Sequence, residues 1–415
     1  MSNPDSASTS LLRQRSFVLF WSSRLASSGG YQMMALTIGW QLYALTGSAF
    51  DLGLLGLVQF VPAVVLTLLI GHAADRYDRR VIVRGAQAVF ALTALALTAA
   101  LLTSNLTREF LFAAVFLIGC ARAFEAPTAS SLVPLLVPGR QISRAVAAWA
   151  AANQAAVIGG PALGGLIYVF SPVAVTSLCI VFFCGAMVLV TLVRIQNAPA
   201  KREPPTLSSA LAGFEFIRRR ERLLGVITLD LFVILLGGAT ALLPVYAKDI
   251  LGAGPIGLGL LRSAPAVGGL TTMLWLSRYP IERRIGPIMF AAVAVFGLAT
   301  FTFGISSSLP LSLAALAILG ASDAISVVIR FSLVQIETPD EKRGRVSAVN
   351  ALFVGTSNTL GEFESGAVAA WLGAVPSVAI GGLGSLLIAG LWMLLFLSLR
   401  RIDRYRPADE TAKGA

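Results

Sequence analysis

The sequence predicts an all-α membrane protein: twelve transmembrane helices in two six-helix bundles, with both termini cytoplasmic. Three observations carry that expectation. Charge is scarce, since 56% of the 415 residues are hydrophobic and only 13% are charged, against about 25% charged in an ordinary soluble domain. Soluble proteins keep a charged surface however large their core, so the missing polar surface faces lipid. The apolar residues gather into twelve runs, each near or above the roughly 20 residues needed to cross a hydrocarbon core of about 30 Å. The basic residues collect in alternate connections between those runs.

Taken in order, the first span, Phe17–Thr46, follows Arg13 and Arg15. The second, Phe50–Gly71, and the third, Val81–Leu102, flank Arg76, Arg79, Arg80 and Arg84. The fourth, Glu109–Leu136, and the fifth, Ser143–Phe170, flank Arg140 and Arg144; the sixth, Val173–Val193, ends at Arg194. Asn197–Pro205 is polar and proline-rich and reads as a non-helical linker. The second set is Leu223–Tyr246, Pro255–Leu276, Gly286–Ile305, Leu309–Ile336, Val346–Leu372 and Val375–Leu399. With the N-terminus in the cytoplasm, 26 of the 32 Lys and Arg lie on that side, Arg108 and Lys248 lie outside, and Arg24, Arg122, Arg262 and Arg330 lie within spans. This is the positive-inside pattern. The expected organisation is a cytoplasmic tail (1–16), a six-helix bundle (17–194), a cytoplasmic loop (195–222), a second bundle (223–399) and a cytoplasmic tail (400–415).

The net charge of +11 is spread over seven cytoplasmic segments, which excludes a single basic face for nucleic acid. No cleavable secretory signal is expected, because the first apolar run is far longer than an h-region. Cys120, Cys179 and Cys184 all sit inside hydrophobic runs and read as packing residues, with neither disulfide nor metal spacing.

The two halves repeat. At an offset of about 201, Pro138 pairs with Pro339, Arg144 with Arg345, Gly160 with Gly361 and Gly165 with Gly366. Close to the same offset, Pro62-Ala63-Val64 matches Pro265-Ala266-Val267, and Arg76-Tyr77 matches Arg278-Tyr279. An even number of helices per half makes the repeats parallel, which implies a small-molecule site between them and access alternating by rocking.

Local motifs agree. Gly71-His72-Ala73-Ala74-Asp75-Arg76-Tyr77-Asp78-Arg79-Arg80 resembles the cytoplasmic signature of the major facilitator superfamily, with Gly71, Asp75, Arg76, Arg79 and Arg80 at its fixed positions. The resemblance implies a latch in which Asp75 meets the positive N-terminal end of the eleventh span near Val346 and Ser347. Gly159-Gly160-Pro161-Ala162-Leu163-Gly164-Gly165 resembles the glycine-proline motif of the superfamily's exporters, with Gly160, Pro161, Gly164 and Gly165 as its key positions. Thr338–Ala348 and Gly361–Gly366 are similar to the branch of bacterial siderophore and drug exporters related to the enterobactin exporter. Members of that branch often carry an acidic residue after the first-span glycine, where this chain reads Gly29-Gly30-Tyr31-Gln32.

Ionisable groups at mid-membrane are costly and point to function. Arg122 and Glu125 are three residues apart and so share a helix face, where they are expected to pair. Asp323 and Arg330 also share a face. Glu125, Asp323 and Glu362 are the expected proton carriers, with Arg24, Arg122 and Arg330 as partners or anion contacts and Asp230 tuning a cytoplasmic gate. Tyr31, Gln32, Trp40, Gln59, Asn153, Gln154, Asn350 and Asn358 are the expected cavity lining, suited to an amphipathic aromatic ligand.

These features predict a secondary active, proton-coupled exporter (an antiporter) of a small siderophore-like or drug-like molecule. It would be a monomer of the bacterial inner membrane, using the proton gradient and no cofactor or metal. An importer, a lipid transporter, a channel and a membrane-embedded enzyme are the alternatives. No His-Glu-x-x-His, Gly-x-Ser-x-Gly or Gly-x-x-x-x-Gly-Lys-Ser/Thr motif is present, which removes the usual signs of an enzyme or an ATP-driven pump.

Overall fold

The computed structural model describes residues 11–66, 76–195 and 214–405. Among these, every regular element is helical. The long helices are α1 (Arg15–Thr46), α2 (Ala49–Val65), α3 (Arg79–Leu102), α4 (Arg108–Leu132), α5 (Ile142–Tyr168), α6 (Pro172–Thr191), α7 (Glu221–Leu236), α8 (Gly254–Arg278), α9 (Ile285–Ile305), α10 (Leu309–Ile336), α11 (Asp340–Leu372) and α12 (Ala374–Leu395). Their starts carry local signals. Asp78 accepts the Arg80 N–H to open α3, Thr107 accepts the Phe110 N–H to open α4, and Ser171 followed by Pro172 opens α6; such side chains satisfy orphan donors of the first turn. Gly373, at a φ of +93°, turns the chain from α11 into α12 in a single residue, a conformation that disfavours any Cβ.

Seven stretches among the described residues are long and apolar enough to cross a membrane: those of α3, α4, α6, α7 with its continuation, α9, α10 and α12. α1, α5, α8 and α11 are as long but less apolar; α1 alone carries Ser22, Ser23, Arg24, Ser27, Ser28 and Gln32.

The span expected over Leu223–Tyr246 is not one helix. α7 stops at Leu236, and the chain continues through a 3-10 turn (Ala239–Leu242) to a wide π turn (Tyr246–Ile250). Gly237 and Gly238 explain the break. A Cβ on Gly237 would meet the Phe296 ring at 2.8 Å, and one on Gly238 would overlap the Gly361 carbonyl oxygen. The backbone approaches α11 too closely for a side-chain-bearing helix, and Pro244 lacks an N–H to rejoin the ladder. Beyond the break, the Tyr246 hydroxyl donates to the Gly304 carbonyl at 2.7 Å and fixes the segment on α9.

The chain forms two compact units, one of Met1–Thr46 with Val58–Pro204, the other of Gly47–Leu57 with Pro205–Ala415. In the first, α1 packs on α5 and α6, and α3 packs on α4 and α6. In the second, α7 packs on α11 and α12, and α9 packs on α10 and α12. These four pairings match helix for helix on moving six helices along, whereas the extensive packing of α8 on α10 has no equal between α2 and α4 among the described residues. The first part of α2 groups with the second unit because glycines meet there: a Cβ on Gly53 would lie 2.9 Å from the Gly366 Cα.

Candidate functional site

In the first unit, α1 presents Arg24, Ser27, Ser28, Tyr31 and Gln32 at spacings of three and four, which places them on one face. Arg24, 8% exposed, donates through Nη1 to Glu125 Oε2 at 3.1 Å and through Nη2 to Asn153 Oδ1 at 3.1 Å. Ser27 donates to the other Glu125 oxygen at 2.8 Å, and Ser28 donates to Asn153 Oδ1 at 3.3 Å. The guanidinium lies 5.5 Å from the centre of the Trp149 ring. Glu125 therefore takes its cation from α1. The pairing of Glu125 with Arg122 expected from their spacing along α4 is not what forms. A neighbouring helix brings a guanidinium already fixed by Asn153 and Trp149, and Arg122 lies instead over the Tyr31 ring, 4.1 Å from its centre. Tyr31 in turn accepts a hydrogen bond from Gln59 Nε2 at 2.6 Å.

In the second unit, Arg330 of α10 is buried between two carboxylates. One nitrogen contacts Asp230 of α7, and another reaches Asp323 at 3.6 Å. Asp230 is thus a direct partner of Arg330, a role helix spacing does not show because it lies on another helix. The Asp323 side chain is 44% exposed, against 12% for Asp230. Each unit hence ties its first helix to its fourth by a buried ion pair, with opposite polarity: Arg24 with Glu125, then Asp230 with Arg330.

The other expected residues are placed as follows. Glu362 packs beneath α2, where a Cβ on Gly56 would meet its Oε2 at 2.7 Å. Trp40 packs edge-on against Tyr168, with 6.2 Å between ring centres. The stem of Gln32 is packed against α5, because a Cβ on Gly160 would lie 2.6 Å from the Gln32 Cβ. Gly164 meets Met33 in the same way at 3.3 Å, and Pro161 and Gly165 are buried beside them. The glycine-proline motif is therefore the seam between α1 and α5. Gln154 and Asn350 are half-buried. Asn358 is exposed, and its amide donates to the Val354 carbonyl of its own helix at 2.9 Å.

Of the latch residues, Gly71 and Asp75 lie outside the described residues. Arg76 is exposed. Arg79 donates to the Ser131 carbonyl at 3.0 Å, and Arg80 donates to the Val193 carbonyl at 2.9 Å while pairing with Asp78 at 2.6 Å. These arginines hold the start of α3 to the ends of α4 and α6. The hydrogen bond from Arg80 keeps the Asp78 carboxyl below the usual carboxylate range. Ser27, Ser28 and Trp149 are the site residues that sequence reasoning missed. Their spacings, three and four from Arg24 and four from Asn153, were the available signal. Among the described residues no three His, Cys, Asp or Glu gather as metal ligands.

The family profile described as Major Facilitator Superfamily matches residues 20–362. The chain belongs to the Major Facilitator Superfamily. It is a multi-pass membrane transporter of a small molecule, not an enzyme. Among its relatives within the superfamily, the enterobactin exporter EntS of Escherichia coli O6:K15:H31 is 25% identical over 403 residues, covering 95% of this chain and 94% of that one. The enterobactin exporter of Shigella boydii serotype 18 matches at the same identity over the same shares. Solved structures share the fold. The nucleoside transporter NupG superposes with a TM-score of 0.74 at 13% identity, covering 92% of this chain and 100% of that one. A bacterial homologue of the iron transporter ferroportin superposes with a TM-score of 0.71 at 18% identity, covering 95% and 100%.

Proposed function

We propose that this superfamily member is a proton-coupled exporter of a small amphipathic molecule, siderophore-like or drug-like. It works by alternating access in the bacterial inner membrane, as a monomer of twelve spans with both termini in the cytoplasm, the spans grouped as 17–194 and 223–399. The energy source is the proton gradient, with no cofactor.

One observation carries the coupling. Arg330 stands between Asp230 and Asp323, so one guanidinium meets two carboxylates and leaves one negative charge over. Within a membrane such a charge is costly, and a proton removes it. Asp323, the more exposed of the two, is the carboxylate that can exchange a proton with water as access changes. Glu125 is held by Arg24 and Ser27 and is a structural partner. The resemblance to the enterobactin exporters supports the outward direction.

The test uses everted membrane vesicles with a preformed pH gradient. Adding an amphipathic aromatic substrate, catecholate siderophores included, should release protons from the lumen, and Asp323→Asn should reduce that release at least about tenfold, the scale of losing one charged partner. Uncoupler-insensitive transport, or normal coupling in Asp323→Asn, rejects the proposal. Accumulation in right-side-out vesicles would instead identify an importer.

A further inference from the structure

The proton-coupling reading leaves Arg122 without a task, and its surroundings define one. Within the spans of the first unit, the described charged side chains at depth are Arg24, Arg122 and Glu125, two cations against one anion. Glu125 is committed to Arg24. Among the described residues, Arg122 makes no ion pair, and its guanidinium contacts the face of the Tyr31 ring. It is half-buried and stands near the middle of α4 (Arg108–Leu132), and arginines within membrane spans almost always face the bundle interior or a water-filled cavity.

The chemistry of this group is specific. A guanidinium carries five N–H donors in a plane and no acceptor, and stacking on Tyr31 occupies a face but none of those donors. Tyr31 adds a further donor. Its oxygen accepts the Gln59 amide at 2.6 Å, which leaves its own O–H proton to point elsewhere. Planar donors, one hydroxyl and an aromatic face together fit a planar oxyanion carried on an aromatic body.

The internal repeat strengthens the assignment. At the offset of 201 that pairs Gly160 with Gly361, Arg122 pairs with Asp323. The position that holds the spare anion in the second half holds the spare cation in the first.

We infer that Arg122, with Tyr31 and Gln59, is the binding site for an acidic group of the substrate, a carboxylate or phenolate attached to an aromatic ring. This rests on the transporter reading but not on the direction of transport or on proton coupling.

The test titrates the purified full chain in nanodiscs with three probes of one shape, 2-naphthoate, 2-naphthylmethanol and 2-naphthyltrimethylammonium, by isothermal calorimetry. The expected result is that naphthoate binds at least about tenfold more tightly than the other two, the scale of a charge-assisted hydrogen-bonded pair. Arg122→Gln should abolish that preference without weakening naphthylmethanol, and Arg122→Lys, which keeps the charge but not the planar fork, should retain only part of it. Tyr31→Phe should weaken naphthoate several-fold. If Arg122→Gln is not monodisperse, Arg122→Lys and Tyr31→Phe decide the question. An unchanged preference in these variants, equal binding of all three probes by the native chain, or no saturable binding of any probe overturns the inference. Uncoupler-insensitive movement of naphthoate by proteoliposomes would reject proton coupling and leave the Arg122 site standing.

Discussion

At the scale of the residue, buried ion pairs separate structural charges from working ones. Removing one partner of a buried pair leaves the other charge uncompensated and costs about 3–5 kcal/mol. Glu125→Gln is therefore expected to lower the thermal midpoint of the purified protein strongly, and Arg24→Gln added to it should recover part of the loss. Asp323→Asn should barely move the midpoint yet abolish coupling, because Arg330 keeps Asp230. Differential scanning fluorimetry beside vesicle transport measures both, and equal stability losses in Glu125→Gln and Asp323→Asn would contradict the assignment. Asp78 gives a pH test. Its carboxyl titrates below the ordinary carboxylate range because Arg80 donates to it, so its stabilisation of the α3 start is complete above its unfolded pKa, about 4. It is lost as pH falls through the lower folded value. The stability lead of the native chain over Asp78→Ala should thus be constant from about pH 7 to pH 5 and vanish at still lower pH, as read by thermal midpoints across that range. The identities of the charged residues were legible in the sequence. Their partners were not, since helix spacing reports only neighbours on one helix, and Arg24 reaches Glu125 from another.

At the scale of the element, glycines set which helix faces touch. Gly159 has no atom within 4 Å of an added Cβ, whereas Gly160 beside it would collide with Gln32. Gly159→Ala is expected to be neutral or slightly stabilising, by up to about 1 kcal/mol from helix propensity. Gly160→Ala and Gly238→Ala should each lower yield and thermal midpoint, because a backbone or Cβ atom must move to admit the new methyl. Thermal scans and monodispersity of the three variants check this ordering, and a stable Gly238→Ala would refute the close approach to Gly361. Most helices were legible from apolar length and bounding charges. The break in α7 was not, because Gly237-Gly238 within an apolar run reads equally as a packing notch; its proximity to α11 and Phe296 decides the outcome. The exporter-like motif in α5 was legible as a motif, and its physical use, close approach to α1, needed the structure.

At the scale of the whole molecule, four helix pairings of the first unit recur in the second, in step with the sequence repeat, which is why the all-helical transporter fold could be read from one chain. Hydrophobicity and charge act on every span at once, and a register error in one does not erase the others. Orientation is the quantity those charges control. Green fluorescent protein fused to the C-terminus is expected to fluoresce, and alkaline phosphatase fused after Arg108 or Lys248 to be active. Active phosphatase on the C-terminal tail instead would invert the proposed topology. What the repeat conserves is helix pairing; what it varies is charge, with the polarity of the α1–α4 pair reversed in α7–α10.

The Arg24–Glu125 pair also has a history written in time. Its partners are 101 residues apart, and at about 5–20 residues per second the ribosome delivers Glu125 roughly 5–20 seconds after Arg24. Throughout that interval the native partner of the Arg24 guanidinium has not yet been made. Asp230 awaits Arg330 in the same way, with the opposite sign. Each buried pair is thus completed only when the fourth helix of its half is made, the earlier partner being a cation in one half and an anion in the other.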